Sequence, residues 1–288
     1  MVIIRKGKIR DCKDLLTVYQ TTRWFYRTTP DGYRTVEQIK KEHKSVGFKN
    51  WGWLVAEIDD TVVGEIVFRI EKNPTSGRLG IIRNLDIDVR YQKKGIGTKL
   101  TVECERILKE RRALRVVATT PPEAYNYWMK VAYFARGSLL TISSPHAKIS
   151  KIKPRRIKTT ELKEVAKLPK STAFSNIAVP GAMLEMISKI VDYKTKGRLF
   201  EFHLDDKLLG SGVIIRRGDG LADFIVDVTK TGSKYLDFIV SKTASAASRL
   251  KCTRISSTIL KDQLFRYNAT QKWSTEIASA IPVTKLLS

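Results

Sequence analysis

A basic turn that contains glycine is the strongest chemical signal in this chain. The turn Lys93–Gly97 holds two lysines and two glycines, and it separates the alternating pattern Leu85–Val89 from a helical pattern that begins near Thr98. Amides at a helix start have no helical acceptor, glycine admits close approach, and the helix dipole favours negative charge. The turn therefore predicts a site for a phosphorylated cofactor.

Two familiar phosphate-binding turns are excluded by their spacing. A nucleotide P-loop requires Gly-x-x-x-x-Gly-Lys-Ser/Thr, and a dinucleotide site requires Gly-x-Gly-x-x-Gly near the start of a βαβ unit. Neither spacing occurs at this turn. A lone Gly-Ile-Gly is weak support for any site, so the flanking residues decide the interpretation.

Six aligned positions closely resemble motif A of the GNAT acetyltransferase superfamily, Leu-x-Val-x-Pro-x-Tyr-Gln/Arg-x-x-Gly-x-Gly. The residues in register are Leu85, Ile87, Tyr91, Gln92, Gly95 and Gly97, and Val89 stands where the family often has proline. The match between a strand and a helix is much more specific than the two glycines alone.

The resemblance implies a fold and a cofactor. The fold is α/β (α+β), with a mixed, mostly antiparallel sheet that splays open between its fourth and fifth strands and is flanked by helices. Acetyl-CoA lies in that opening, and the backbone of Ile87 to Val89 pairs with its pantetheine like an added strand. The cofactor-binding residues that the resemblance implies are Ile87, Asp88, Val89, Gln92, Lys93, Lys94, Gly95, Ile96, Gly97 and Thr98.

The general base is not where the family often has it. The position of the family's glutamate is Ile81, which cannot take a proton, so Asp86, Asp88 and Glu65 are the nearest alternatives. Strand alternation places Asp86 and Asp88 opposite Ile87, where a polar, solvent-facing role competes with catalysis. Glu65 is expected to be a surface residue. Asp86 is retained as the catalytic candidate.

The general acid is also displaced from its family position. Aligning the family's last helix on Ala124 places Trp128, rather than a tyrosine, near the thiol. Tyr127 is adjacent and reaches the sulfur after a one-residue adjustment, so it is the candidate acid. The alternative is that these aromatic residues only form core. Without either group, a low-pKa amine still reacts, whereas a lysine reacts slowly.

The charge balance favours an anionic or macromolecular partner. Lys+Arg 53 against Asp+Glu 29 gives a net charge of +24. The loop that recognises substrate in this fold contains Arg23–Arg27 and Tyr33–Arg34, whose basic and aromatic residues suit bases, phosphates or an acidic peptide. Burial of Trp24 and Phe25, with the arginines in water, is equally consistent with the pattern.

Cysteine and histidine usage argues against a metal site or a disulfide framework. Cys12, Cys104 and Cys252 are scattered, as are the three histidines, so no metal site is expected. No apolar run approaches membrane-spanning length, and the amino terminus lacks a secretory signal. A cytoplasmic protein without membrane contact is expected.

The chain repeats one plan. Trp53–Gly64 matches Leu199–Gly210, each with an apolar strand, an Asp-Asp turn and a second apolar strand. Helical segments before the hairpins and strand–helix segments after them recur in the same order, which indicates a tandem duplication. We expect a GNAT domain at 1–146, a basic linker at 147–156 and a GNAT-like domain at 157–288.

The second copy is expected to be degenerate. Counting from Val226 as from Ile87, the two glycines of the turn become Lys234 and Leu236, whose side chains obstruct a pyrophosphate. The chain is therefore interpreted as an acetyl-CoA-dependent N-acetyltransferase that modifies a primary amine of a protein or nucleic-acid-associated target. The alternative is a non-catalytic GNAT-fold protein that binds nucleic acid or ribosomes.

Overall fold

The computed structural model describes residues 1–22, 35–45, 48–73, 77–145, 156–162, 179, 181–218, 220–268 and 271–287. These residues form two mixed sheets of seven strands each with flanking helices, which confirms the expected fold class. The helices are α1 (Cys12–Thr21), α2 (Val36–Glu42), α3 (Ile96–Glu110), α4 (Tyr125–Lys130), α5 (Ala182–Val191), α6 (Leu236–Ser245) and α7 (Leu264–Asn268).

The first sheet has the order β1-β2-β3-β4-β5-β14-β6. Its strands are β1 (Ile3–Lys6), β2 (Trp53–Ile58), β3 (Thr61–Asn73), β4 (Gly77–Ile87), β5 (Arg115–Thr120), β6 (Phe134–Ala135) and β14 (Ile281–Leu286). β4 and β5 run parallel and pair from Leu79 to Ile81 only among the described residues. Beyond Ile81 the two strands separate, which forms the expected opening.

The second sheet has the order β13-β7-β12-β11-β10-β9-β8. Its strands are β7 (Leu139–Ser144), β8 (Ile157–Glu161), β9 (Gly197–Leu204), β10 (Lys207–Arg216), β11 (Leu221–Val228), β12 (Arg254–Leu260) and β13 (Ser274–Ile277). β11 and β12 are parallel and pair from Leu221 to Asp223, after which β11 continues to Val228. The second sheet thus has the same splay as the first.

The predicted hairpin repeat is present in both sheets. β2 and β3 join through Asp59-Asp60, and β9 and β10 join through Asp205-Asp206. All four aspartates have left-handed φ, between 46° and 61°, which is the backbone of a tight type I′ hairpin. Aspartate tolerates this region better than most residues, so the Asp-Asp pairs specify the turn locally.

The division of the chain into compact units differs from the sequence boundaries. One unit comprises 1–70, 78–134 and 284–288, and the other comprises 71–77 and 135–283. β7 falls within the expected first domain, 1–146, but pairs with β12 and β13 in the second sheet. The expected linker, 147–156, lies outside the described residues except for Arg156.

Helix packing in the first unit places the site on a rigid frame. A Cβ at Gly80 would lie 2.6 Å from Leu108, so glycine lets α3 approach β4 closely. On the other face, α1 and α2 pack on the sheet through a cluster that includes Leu15, Ile39 and Trp53. No helix among the described residues is long and apolar enough to cross a membrane.

Candidate active site

The end of β4 is shaped by a compact turn. The amide of Asp88 donates to the carbonyl of Val63 at 2.9 Å, and the Asp88 side chain accepts from the amide and guanidinium of Arg90. These hydrogen bonds from Arg90 hold the pKa of Asp88 below its usual range, although burial opposes the shift. Asp88 is therefore an ionised residue that closes the turn.

Two further contacts orient the backbone that follows the strand. The Gln92 side-chain amide donates to the carbonyl of Ile87 at 2.9 Å, which ties the turn back to the strand. The Val89 amide reaches the Thr21 hydroxyl of α1 at 3.4 Å, a long and weak hydrogen bond. The Val89 amide is therefore the more readily available donor for a ligand carbonyl, because the Asp88 amide is used by the sheet.

The glycine turn has the geometry of an anion cradle. Lys93 and Gly95 have left-handed φ of 60° and 79°, and α3 begins at Ile96, slightly earlier than the sequence pattern predicts. No atom of the described residues lies within 4 Å of a Cβ built on Gly95, so these residues leave the space in front of this helix start open. The exposed lysines Lys93 and Lys94 add positive charge there.

Tyr127 lies beside the same helix start. A Cβ on Gly97 would be 3.4 Å from the Tyr127 ring, and the phenolic hydroxyl is 2.6 Å from the Thr101 hydroxyl. Burial raises the pKa of Tyr127 to about 12, so the phenol carries its proton at neutral pH. Trp128, the aligned residue, is buried between the rings of Tyr127 and Tyr133.

The expectation that Glu65 lies on the surface is wrong. Its side chain is fully buried and accepts hydrogen bonds from the Tyr19 hydroxyl, from Trp53 Nε1 at 2.9 Å and from His43 Nε2 at 3.1 Å. Burial raises the pKa of Glu65, but the charge of His43 and the three donors outweigh it and hold the pKa below its usual range. Sequence reasoning missed this cluster because its members come from four separate elements.

Asp86 remains close to this buried cluster and is only half-buried. The pKa of Tyr19 is raised chiefly by burial and also by the negative charges of Glu65 and Asp86. Ile81, at the family's usual base position, is 1% exposed in a cluster with Leu79 and Val117. The loop residues Arg23–Arg27 and Tyr33–Arg34 lie outside the described residues.

The equivalent turn in the second unit is built differently. The Thr229 amide donates to the Leu209 carbonyl at 2.8 Å, as Asp88 donates to Val63, so Thr229 corresponds to Asp88. The helix cap is then Tyr235, with φ −118°, in the place of Gly95.

The sequence count for the second turn is therefore out of register. It placed Lys234 and Leu236 at the two glycine positions, but Leu236 is the first residue of α6. The count began at Val226, two residues before Val228, which is the residue that corresponds to Ile87 at the end of the strand. The turn after β11 is also one residue shorter than the turn after β4, so the two differences leave the count one residue short of the cap. Across all the described residues of the protein, no group of three or more His, Cys, Asp or Glu side chains is placed to hold a metal ion.

Comparisons with known proteins agree with this geometry. Residues 18–131 match the model of the acetyltransferase (GNAT) family, a span that contains the opening between β4 and β5, the glycine turn and Tyr127. No curated protein matches the chain. Residues 18–131 are therefore similar in sequence to GNAT acetyltransferase domains.

Solved structures extend the likeness to the whole chain. A GCN5-related N-acetyltransferase from Kribbella flavida superposes with a TM-score of 0.59 at 11% identity, over 99% of this chain and 71% of that one. A GCN5-related N-acetyltransferase from Sphaerobacter thermophilus gives 0.54 at 11%, over 99% and 96%. A tandem GNAT protein from the clavulanic acid biosynthesis pathway gives 0.53 at 10%, over 100% and 99%. The chain thus has the fold of tandem GNAT proteins.

Proposed function

We propose that this protein is an acetyl-CoA-dependent N-acetyltransferase that transfers an acetyl group to a primary amine of a protein or nucleic-acid-associated target. The observation that carries the proposal is the open, left-handed Gly95 at the start of α3, directly after the strand that leaves the sheet. A helix start with unpaired amides and open space is suited to a pyrophosphate.

In this proposal the first unit supplies all the cofactor contacts. The amides from Lys93 to Thr98 bind the pyrophosphate, with charge from the two lysines, and the backbone of Ile87–Val89 pairs with the pantetheine. When bound, acetyl-CoA supplies an activated thioester. Gln92 contributes by holding the turn against Ile87. These roles use backbone groups, so they depend on shape more than on side-chain identity.

Proton transfer is assigned to Asp86 and Tyr127. The half-buried carboxylate of Asp86, near the end of β4, receives the proton of the acceptor amine directly or through water. Tyr127 keeps its proton at neutral pH and donates a hydrogen bond or a proton to the departing sulfur. The 2.6 Å contact with Thr101 orients the phenol beside the turn.

The second unit is proposed to be a degenerate GNAT domain that does not bind acetyl-CoA. Tyr235, with φ −118°, stands at the helix cap where the first unit has the left-handed Gly95, so this turn lacks the glycine on which the first unit's open helix start depends. This unit would then support the first unit or contribute to acceptor recognition.

The acceptor and the cellular location are also proposals. The net charge of +24 favours an acidic or nucleic-acid-associated macromolecule over a small metabolite. The three cysteines are free, which is consistent with a reducing cytoplasm.

Titration calorimetry with acetyl-CoA tests the cofactor assignment. Gly95→Asn keeps a residue that tolerates positive φ but fills the open space, so we expect at least about a tenfold loss of affinity. Gly137→Asn is the matched control, because Gly137 also has positive φ and none of the described residues has an atom within 4 Å of a Cβ built there. Absence of binding by the native protein, or equal affinities of the two variants, contradicts the proposal.

A second candidate function is nucleic-acid binding without catalysis. It is favoured by the net charge and by buried Ile81 at the usual position of the base. Incubation of the protein with labelled acetyl-CoA and a cell extract separates the two candidates. Label transfer to any acceptor, lost in Gly95→Asn, excludes the non-catalytic candidate.

A further inference from the structure

A group of cations lies at the end of the first unit that is remote from the glycine turn. We call it the distal basic patch, and it consists of Arg78, Lys109, Arg111, Arg112 and Arg115, with Trp51 in contact with Arg111. Arg78 and Arg115 stand at the beginnings of β4 and β5, and the other three cations stand at the end of α3. Arg78 is the second residue of β4, which ends at Ile87, so about 30 Å of strand separates this patch from the turn after Ile87.

Backbone and side-chain contacts hold the patch together. The Leu114 amide donates to the Arg78 carbonyl at 2.9 Å, and Arg78 Nη2 donates to the Arg111 carbonyl at 2.9 Å. The Arg111 guanidinium lies 4.2 Å from the centre of the Trp51 ring, and Phe68 packs edge-on against the same ring. The guanidinium is thus oriented by a cation–π contact rather than by a carboxylate.

The patch lacks neutralising acids. The chain has no Asp or Glu from 72 to 85 or from 111 to 122, and the adjacent Glu110 is paired with Arg106. Among the described residues, none of the five cations lies within 4 Å of a carboxylate oxygen. Arg115 Nε is buried and has no hydrogen-bond partner in the part of the chain that the structure describes. Interspersed acids normally balance a surface of this kind, so the cations are left to attract an external anion.

The backbone at Arg112 gives a second reason to assign a role to these cations. Arg112 has φ of 60° directly after α3, where glycine is the usual residue. Lys251, with φ of 56°, occupies the equivalent place in the second unit. The amides of Leu114 and Thr253, two residues further on in each unit, bond the carbonyls of Arg78 and Gly220 in the same way.

Complementing the helix dipole explains only part of this pattern. Cations in the last turn of a helix favour its carbonyl end, which accounts for Lys109, Arg111 and Arg112. It does not account for Arg78 and Arg115, which belong to strands. A basic residue also replaces glycine in both units at a position that disfavours side chains, and strained positions of this kind are concentrated at functional sites.

We propose that the distal basic patch binds the phosphodiester backbone of a nucleic acid. Four of its five cations are arginines, whose planar guanidinium matches two phosphate oxygens at once. Trp51 is covered by Arg111 and Phe68, so it does not stack on bases and the contacts carry no base information. Binding is therefore independent of sequence and strongly salt-dependent. This inference does not rest on the proposed acetyl transfer.

Fluorescence anisotropy with labelled RNA and DNA duplexes of equal length tests the patch. The patch variant is Lys109→Gln, Arg111→Gln, Arg112→Gly, in which glycine suits the left-handed position and protects folding. The control variant removes the same charge from exposed lysines elsewhere, Lys13→Gln, Lys230→Gln, Lys272→Gln. The RNA and DNA arms identify which source of phosphodiester is preferred.

We expect the patch variant to bind at least about tenfold more weakly at about 50 mM salt, with a salt slope smaller by about two to three. The control variant should lose much less affinity for the nucleic acid. Both variants should bind acetyl-CoA in calorimetry as the native protein does. Equal losses in the two variants overturn the proposal. Equal displacement of nucleic acid by polyglutamate of matched charge also overturns it, because the patch would then recognise acidic peptides as well.

Discussion

Glu65 and His43 form a buried ion pair in which both imidazole nitrogens act as donors. His43 Nδ1 lies 2.9 Å from the Ile39 carbonyl, which can only accept, and Nε2 lies 3.1 Å from Glu65 Oε2. Both side chains are almost completely buried. Burial lowers the pKa of His43, but the charge and hydrogen bond of Glu65 outweigh it and raise the pKa above its ordinary value. The pair fastens α2 to β3, and the Tyr19 hydroxyl fastens α1 to the same carboxylate.

Removing this carboxylate should destabilise the first unit strongly. Glu65→Gln leaves imidazolium, phenol and indole donors around a neutral amide, and breaking a buried pair in this way costs about 3–5 kcal/mol. Hydrogen exchange measured on peptides from 1–70 and 78–134 reports the loss. Glu37→Gln is the control, because Glu37 is exposed and its pair with Lys40 contributes little. Similar exchange rates in the two variants would show that Glu65 is not a structural anchor.

The same pair predicts how the stability of the first unit depends on pH. The raised pKa of His43 gives stability that is complete below about pH 6.5 and is lost as the pH rises through the folded value. The lowered pKa of Glu65 gives stability that is complete above about pH 4.3 and is lost as the pH falls through its folded value. Maximum protection between these two limits is the expected result in a pH series of hydrogen exchange.

A histidine variant provides the control for this pH series. His43→Gln removes the group that titrates on the alkaline side, so the variant should be less stable and its protection should change less above about pH 6.5. A variant profile parallel to the native one would assign the alkaline loss to another group.

Deleting the Tyr127 hydroxyl should slow catalysis without weakening cofactor binding. Tyr127→Phe keeps the ring beside Gly97 but removes the donor, and general acid catalysis contributes about 10²–10⁴-fold. We expect the turnover rate to fall at least tenfold, whereas calorimetric affinity for acetyl-CoA stays nearly constant. Tyr125→Phe on the same helix is the control. A native rate in Tyr127→Phe assigns the aromatic residue to the core and leaves water or backbone as the donor.

Asp227 should make the second unit less stable as the pH rises. Burial raises its pKa to about 8, and Oδ2 has no hydrogen-bond partner among the described residues. Ser211 on β10 is the cross-strand partner of Asp227, and its buried hydroxyl likewise has no hydrogen-bond partner within the described ranges. An acid whose folded pKa is raised stabilises fully below its unfolded pKa of about 3.9, and this stability is lost as the pH rises through about 8.

Replacing the Asp227 carboxyl by an amide tests this expectation. Asp227→Asn cannot ionise, so near pH 9 it should be about 1–3 kcal/mol more stable than the native protein, and the gain should shrink near pH 6. Hydrogen exchange on peptides from 135–283 measures the difference. Asp237→Asn, at the start of α6 and away from β11, should show no such gain. A gain that does not depend on pH would contradict the titration of Asp227.

Local patterns in the sequence determined the elements around the cofactor turn. Three local patterns are decided by neighbours along the chain: the alternation over Leu85–Val89, the glycines at 95 and 97, and the amphipathic run after them. The structure places a strand, a turn and a helix there. The Asp-Asp hairpins were equally predictable, because a two-residue turn with positive φ favours few residue types. The end of β4 at Ile87, with a turn beginning at Asp88, differs from the predicted strand by two residues.

Two features were decided by the tertiary structure alone: the surroundings of the Glu65 carboxylate and the sheet to which β7 belongs. A carboxylate in a strand has the same local pattern whether water or Tyr19, His43 and Trp53 face it, and those donors lie 12 to 46 residues away. The Thr284 hydroxyl donates a hydrogen bond to the carbonyl of Val116, which is 168 residues away in the sequence. No local pattern of apolar and polar residues predicts such a contact. The backbone groups of a strand such as β7 can form hydrogen bonds with any free sheet edge in a suitable register. The packing of the assembled core, rather than the order of strands in the sequence, therefore selects the strand with which β7 pairs.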